Sequence, residues 1–174
     1  MAVDNTKDPI FQTFQAIWDC LEADAGFAAL VDSRNRIKHT SNSRSPEKPG
    51  MQTSDMPQVR VTQTALGGQI ANTSSSSTLQ IYWAIEIKPG DRRLENLTEI
   101  QWAVYQAMSR WHTYLLEQIK WNDAKVFRRL MPLKCETQYG PDDSKPNKPQ
   151  PTGWIAVWGA IGELYLSTTL LQAE

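Results

Sequence analysis

A chain of 174 residues is long enough to bury a core of its own, and 18 Lys and Arg against 19 Asp and Glu leave a formal net charge of -1, which argues against a strong field for nucleic acid or an anionic membrane. Two cysteines exclude a disulfide framework and a four-thiolate metal site. The first residues lack the basic start and apolar run of a signal peptide, and no apolar window approaches the ~20 residues of a membrane span, so a soluble, intracellular protein is expected.

In chain order, Asp8-Pro9 predicts a helix N-cap with proline in the first turn. The helix has an apolar side of Ile10, Phe11, Phe14, Ile17, Trp18 and Leu21 and a polar side of Gln12, Gln15, Asp19 and Glu22. Ala23 to Val31 predicts a second short helix that sends Phe27, Leu30 and Val31 to the core, and Arg36 to His39 a short strand. Residues 40–55 are Ser, Pro, Asn, Lys and Gly with almost no apolar content, the composition of a long loop. Pro57 to Ala65 predicts a strand with Val59 and Val61 inward and Arg60 and Thr62 outward. Gly67-Gly68 and the serines to Ser77 then form the tip of an antiparallel hairpin.

Leu79, Ile81, Trp83, Ile85 and Ile87 alternate with Gln80, Tyr82, Ala84, Glu86 and Lys88, as a strand with one buried and one wetter face requires. A turn at Lys88-Pro89-Gly90-Asp91 leads to a long helix, with Asp91 as its N-cap. Leu94, Leu97, Ile100, Val104, Met108, Trp111 and Leu115 fall within an arc of about 120° on that helix. Val126 to Lys134 is a strand interrupted or edged by Pro132. A third polar loop occupies 139–153, and Trp154 to Leu170 is the last strand. Ile155, Val157 and Ile161 lie on one of its faces and Trp154, Trp158 and Leu164 on the other. Both faces are apolar, so one is expected to lie under a helix or another chain. The expected fold is one α+β domain over 1–174, a mostly antiparallel twisted sheet of about four to five strands packed on two main helices, with long polar loops at 40–55, 67–77 and 139–153.

No constellation points to a reaction. His39 and His112 have no ligand partner at metal spacing. Cys20 and Cys135 lack a setting that lowers a thiol pKa, and both read as buried or half-buried inert thiols. Serines 74 to 77 sit in no strand-to-helix elbow, and Gly67-Gly68 lacks the ending of a phosphate loop. Glu95 and Glu99 read as the wet side of the long helix. Arg128-Arg129, with Lys125 and Lys134, is the densest basic patch and reads as a solvated strand face. Trp18, Trp83 and Trp111 fall on apolar faces. Trp102 projects away from the helix stripe, with Thr98, Tyr105 and Ser109, which marks a second layer or a subunit contact.

The order of elements carries a resemblance. The first helix reads Ile-Phe-x-x-Phe-x-Ala-Ile-Trp-x-x-Leu-x-Ala-Asp-x-x-Phe-x-x-Leu-Val and leads to Arg36-Ile37. A Pro-x-Val-x-Val strand follows at Pro57, then the strand to Ile87, the helix from Leu94 and a late strand pair. This layout resembles the tail terminator and tail completion proteins of long-tailed bacteriophages, small α+β subunits that assemble as rings at the neck. The resemblance implies a non-enzymatic virion protein, assembled in the host cytoplasm, with no cofactor or metal and no membrane contact. It implies a homo-oligomer, a hexameric ring, that caps the tail tube protein and joins it to the head-side connector or stopper protein. Genomic DNA would pass the lumen without specific binding, and the near-neutral charge suits that.

Trp102, Tyr105 and an exposed face of Trp154 and Trp158 are the expected subunit contacts. Arg60, Arg128 and Arg129 are the expected nucleic-acid or lumen contacts. The departures from the layout, the loops at 40–55 and 139–153 and the aromatic last strand, leave a head-tail adaptor or stopper ring as an alternative. A nucleic-acid-binding module using Tyr82, Arg60 and Arg128-Arg129 on an open sheet face is a second alternative, and a small enzyme a third.

Overall fold

The computed structural model describes residues 3–38, 57–63, 71–72, 77–89, 94–140 and 149–164. Helix α1 (Pro9–Glu22) starts where the Asp8 carboxylate accepts hydrogen bonds from the Ile10 and Phe11 amides, with Pro9 in the first turn. Asp24 caps the six-residue α2 (Ala25–Leu30) in the same way through the Phe27 amide. A 3-10 turn at Ser33–Asn35 leads to β1 (Arg36–Ile37). Next come β2 (Gln58–Gln63), the two-residue β3 (Ala71–Asn72) and β4 (Ser77–Lys88). Helix α3 (Leu94–Met108) and the single turn α4 (Trp111–Thr113) run into a π-helical turn, Tyr114–Gln118. A tight hairpin, β5 (Lys120–Trp121) and β6 (Ala124–Lys125), precedes the long pair β7 (Phe127–Gly140) and β8 (Gln150–Leu164).

The main sheet runs β1-β2-β4-β8-β7, and β3 adds a short pairing to β4. Among the described strands only β1 with β2 is parallel; the other pairs are antiparallel. This is the expected α+β layout. The register sets Ile87 beside Trp154, Ile85 beside Ala156, Trp83 beside Trp158 and Ile81 beside Ala160. Opposed residues share a face, so these side chains form one apolar surface. The helices lie there: Phe14 of α1 packs on Trp83, and Tyr105 of α3 packs on Trp154 and Trp158. The helices also pack on one another. Among the described residues none crosses to the other sheet face, which carries Arg60, Tyr82, Ala84, Glu86, Ile155, Val157, Gly159 and Ile161.

Several expectations change. Gln12, Gln15 and Asp19, read as a wet helix side, are buried, because α1 is covered on more than one side. Gln12 satisfies its burial: its amide donates to the Lys7 and Lys120 carbonyls, both at 2.7 Å, and accepts from the Lys120 amide at 2.9 Å. Leu94, placed on the apolar stripe, is 53% exposed; the stripe begins at Leu97. The third loop is shorter than 139–153, since Tyr139 and Gly140 belong to β7 and Gln150 to Gly153 to β8.

Trp154 does not present an exposed face. It is 3% exposed under α3, and Trp158 is half-buried on the same side. Cys20 is buried as expected, but Cys135 is exposed. The proposed cap Asp91, the end of the first short strand at His39, the loop 40–55, the strand end at 64–65 and the last strand beyond Leu164 lie outside the described residues, as do 67–70 and 73–76 of the hairpin tip.

Candidate subunit interface

Helix α3 explains why Trp102 stands out. Leu97, Ile100, Ala103, Val104, Ala107 and Met108 are buried along one side, and Trp102 projects about 180° from their mean direction at 100° per residue. It is 64% exposed, the highest value of any large apolar side chain described. Together with Tyr105, Gln106, Ser109 and Arg110 it forms one wall of a groove of about 580 Å³ whose other wall is Asp24, Ala25 and Gly26 at the start of α2. Arg110 Nη2 lies 3.9 Å from Asp24 Oδ2, so one carboxylate caps α2 and ties it to the end of α3.

Tyr105 links this groove to the sheet. Its ring meets Trp154 edge-on at 5.6 Å and Trp158 at 6.4 Å between centroids, and its hydroxyl donates to Cys135 Sγ at 2.8 Å. Burial pushes the phenol up to about 12, and the bond to Cys135 adds to the rise. The Cys20 thiol is raised to about 12 by burial and by the charge of Asp19. Neither group is poised for chemistry near neutral pH. Trp102 and Tyr105 are therefore brought together as surface, while Trp154 and Trp158 form the floor beneath Tyr105.

The expected basic contacts divide differently. Arg60 on β2 pairs with Glu86 on β4, Nε to Oε2 at 3.1 Å and Nη2 to Oε2 at 2.5 Å, and Thr62 donates to Glu86 Oε1 at 3.4 Å. Arg129 stands opposite Ile161, while Arg60 is level, through Glu86, with Ile155. The two arginines thus share the helix-free face but lie six residues apart along β8, roughly 20 Å. Arg128 falls in the register shift between Phe127 and Arg129, so alternation does not assign it a face. No concentrated cationic site results.

The helix-free face also holds features that the sequence reading missed. At Gly159 an added Cβ would lie 2.9 Å from Tyr82 Cε1 and 3.2 Å from Leu133 Cδ1, so the tyrosine ring and the leucine close over the glycine. Leu133 sits in the bulge between Pro132 and Lys134 and is 44% exposed. Tyr82 Oη donates to Gln80 Oε1 at 2.8 Å, and Lys134 pairs with Glu136. Period-two patterning groups Ile155, Val157 and Ile161 on one face of the strand without deciding which face the helices cover, and the bulge that adds Leu133 leaves no signal in sequence. Among the described residues no group of three or more His, Cys, Asp or Glu is placed to hold a metal, and no helix is long and apolar enough to cross a membrane.

Compared with models of known protein families and with curated proteins, the chain matches none.

Proposed function

We propose that this chain is a structural subunit of a bacteriophage neck, a ring protein that terminates the tail tube and joins it to the head-side connector. The observation that carries the reading is Trp102, a large aromatic turned outward from α3 beside a groove, on a subunit whose own core is already filled. Such a residue contributes little to the isolated fold and much to a contact, because buried aromatics anchor interfaces. The resemblance in element order supplies the ring and its partners. An adaptor or stopper ring on the head side is built from the same kind of subunit and differs in which neighbour it touches.

The test is a phage from which this gene is deleted, viewed by negative-stain microscopy and complemented with wild-type or Trp102→Glu protein. Deletion should leave heads and tails unjoined, with tails of abnormal length for a terminator and of normal length for a stopper. Trp102→Glu should fail to complement. Joined particles with normal tails in the deletion strain exclude the reading. A second reading, a module that binds single-stranded nucleic acid, is favoured by Tyr82, Arg60 and Arg129 on one helix-free face. It requires oligonucleotide binding that weakens steeply with salt, whereas a lumen that lets DNA slide should bind weakly at any salt.

A further inference from the structure

We infer that copies of this chain associate head to tail, with the outer surface of the helix layer, centred on Trp102, packing on the helix-free sheet face of the next copy, centred on Leu133 and Tyr82. The inference deepens the ring reading by naming the two surfaces that meet. A two-layer subunit has two outsides, and here both carry apolar side chains that the chain itself leaves open: Trp102 on one and Leu133 on the other. They lie on different surfaces, since Trp102 lines the groove between α3 and the start of α2 while Leu133 lies over Gly159 on the sheet face away from the helices. One copy cannot join them. A second copy can, and because the surfaces differ, each copy retains one of each for a further neighbour, the arrangement that builds a ring when the rotation between copies closes.

Charge agrees with this pairing. Around Trp102 the described charged side chains are Glu95, Glu99 and Asp24 against Arg110, a surplus of carboxylate. On the sheet face the described charged side chains are Arg60, Lys88, Arg129 and Lys134 against Glu86 and Glu136, a surplus of cation. Acidic helix surface therefore meets basic sheet surface, while two copies of either surface would set like charges together. The ion pairs already made within the sheet face, Arg60 with Glu86 and Lys134 with Glu136, lower the cost of covering it.

The test uses the full chain and two variants, Trp102→Glu and Leu133→Glu, each at a surface position, with matching thermal melts as the check on folding. Sedimentation velocity from about 1 µM to about 1 mM should show wild-type protein forming species larger than a dimer. Each variant alone should be monomeric, its association weakened at least ~30-fold. Mixed in equal amounts, the two should form heterodimers and nothing larger, because only the intact helix surface of Leu133→Glu and the intact sheet surface of Trp102→Glu can meet.

A Trp102→Glu protein that still dimerises, or a Leu133→Glu protein that does, overturns the inference in favour of a symmetric contact. Wild-type protein that stays monomeric throughout the range overturns it as well, whatever else then covers the sheet. The neck reading fails separately: heterodimers with intact deletion-strain virions would leave the contact and remove the role, and abnormal virions without heterodimers would do the reverse.

Discussion

Gln12 shows how one polar side chain can hold distant parts of this fold. Its amide group bonds the chain just before α1 and both backbone groups of Lys120, 108 positions later. Gln12→Leu keeps the volume but leaves two carbonyls and an amide unpaired, and should lower stability by about 2–4 kcal/mol in urea unfolding. Glu22 is a titrating counterpart. Burial alone would raise its carboxyl, but the hydrogen bond and charge of Lys38, then those of Arg36, outweigh it and hold the group below its usual range.

A depressed folded-state value means that the Glu22 contribution is complete above the ordinary carboxylate range of about 4.5 and fades as pH falls through the lower folded value. Glu22→Gln should therefore lower the melting temperature at pH 7 while narrowing its gap to wild type as pH falls through that window. An unchanged gap at low pH would count against this ion pair. Arg36 has a further role that the mutation leaves intact, since it donates to the Val31 carbonyl at 2.8 and 3.1 Å and lies over the Phe27 ring.

Among the elements, the β7–β8 pair is the most constrained. A Cβ on Gly162 would overlap the Val126 carbonyl, so the chain entering β7 crosses directly over a glycine in β8. Gly162→Ala should cost about 1–3 kcal/mol by overpacking, read as a shift of the urea midpoint at unchanged slope. The turn joining β5 and β6 invites the opposite change. Asn122 and Asp123 have φ of 49° and 63°, the left-handed values of a two-residue hairpin. Asp123→Gly should stabilise by up to about 1 kcal/mol in the same assay, since glycine adopts that conformation without strain.

These elements also mark what could be read in advance. The alternation from Leu79 to Ile87 and the cap at Asp8 were legible because each depends on residues close in sequence. The Asn122-Asp123 hairpin has a local signal that was passed over, whereas the burial of Gln12, Gln15 and Asp19 depends on what α1 meets in three dimensions. Trp102 was legible as an outward aromatic from helical spacing alone. The inward position of Trp154 and Trp158 was not, since both faces of β8 are apolar and only pairing with β4 decides between them.

At the level of the whole molecule, the sheet is asymmetric in protection as well as in cover. Among the described strands β4 and β8 have neighbours on both sides, while β7 is an edge strand broken by register shifts at Phe127/Arg129, Pro132/Lys134 and Gln138/Tyr139. Native-state hydrogen exchange should be slowest in the centres of β4 and β8 and markedly faster on the outer amides of β7. Uniform protection across the sheet would contradict that order. The shifts and Pro132 also make β7 a poor template for further strand pairing, which favours association through faces over association through edges.

The strand order sets a timetable for synthesis. β4 is translated long before β8, its partner over eleven registered pairs from Ser77 to Ile87, and Lys120, which secures Gln12, also emerges late. Through that interval the nascent chain carries an unpaired strand edge and a glutamine that still lacks its two bonds to Lys120. Folding must therefore wait for the ribosome to deliver the last strand, which makes slow, non-local assembly an inherent property of this topology. Holding chaperones would act in that window, before any copy is fit to meet another.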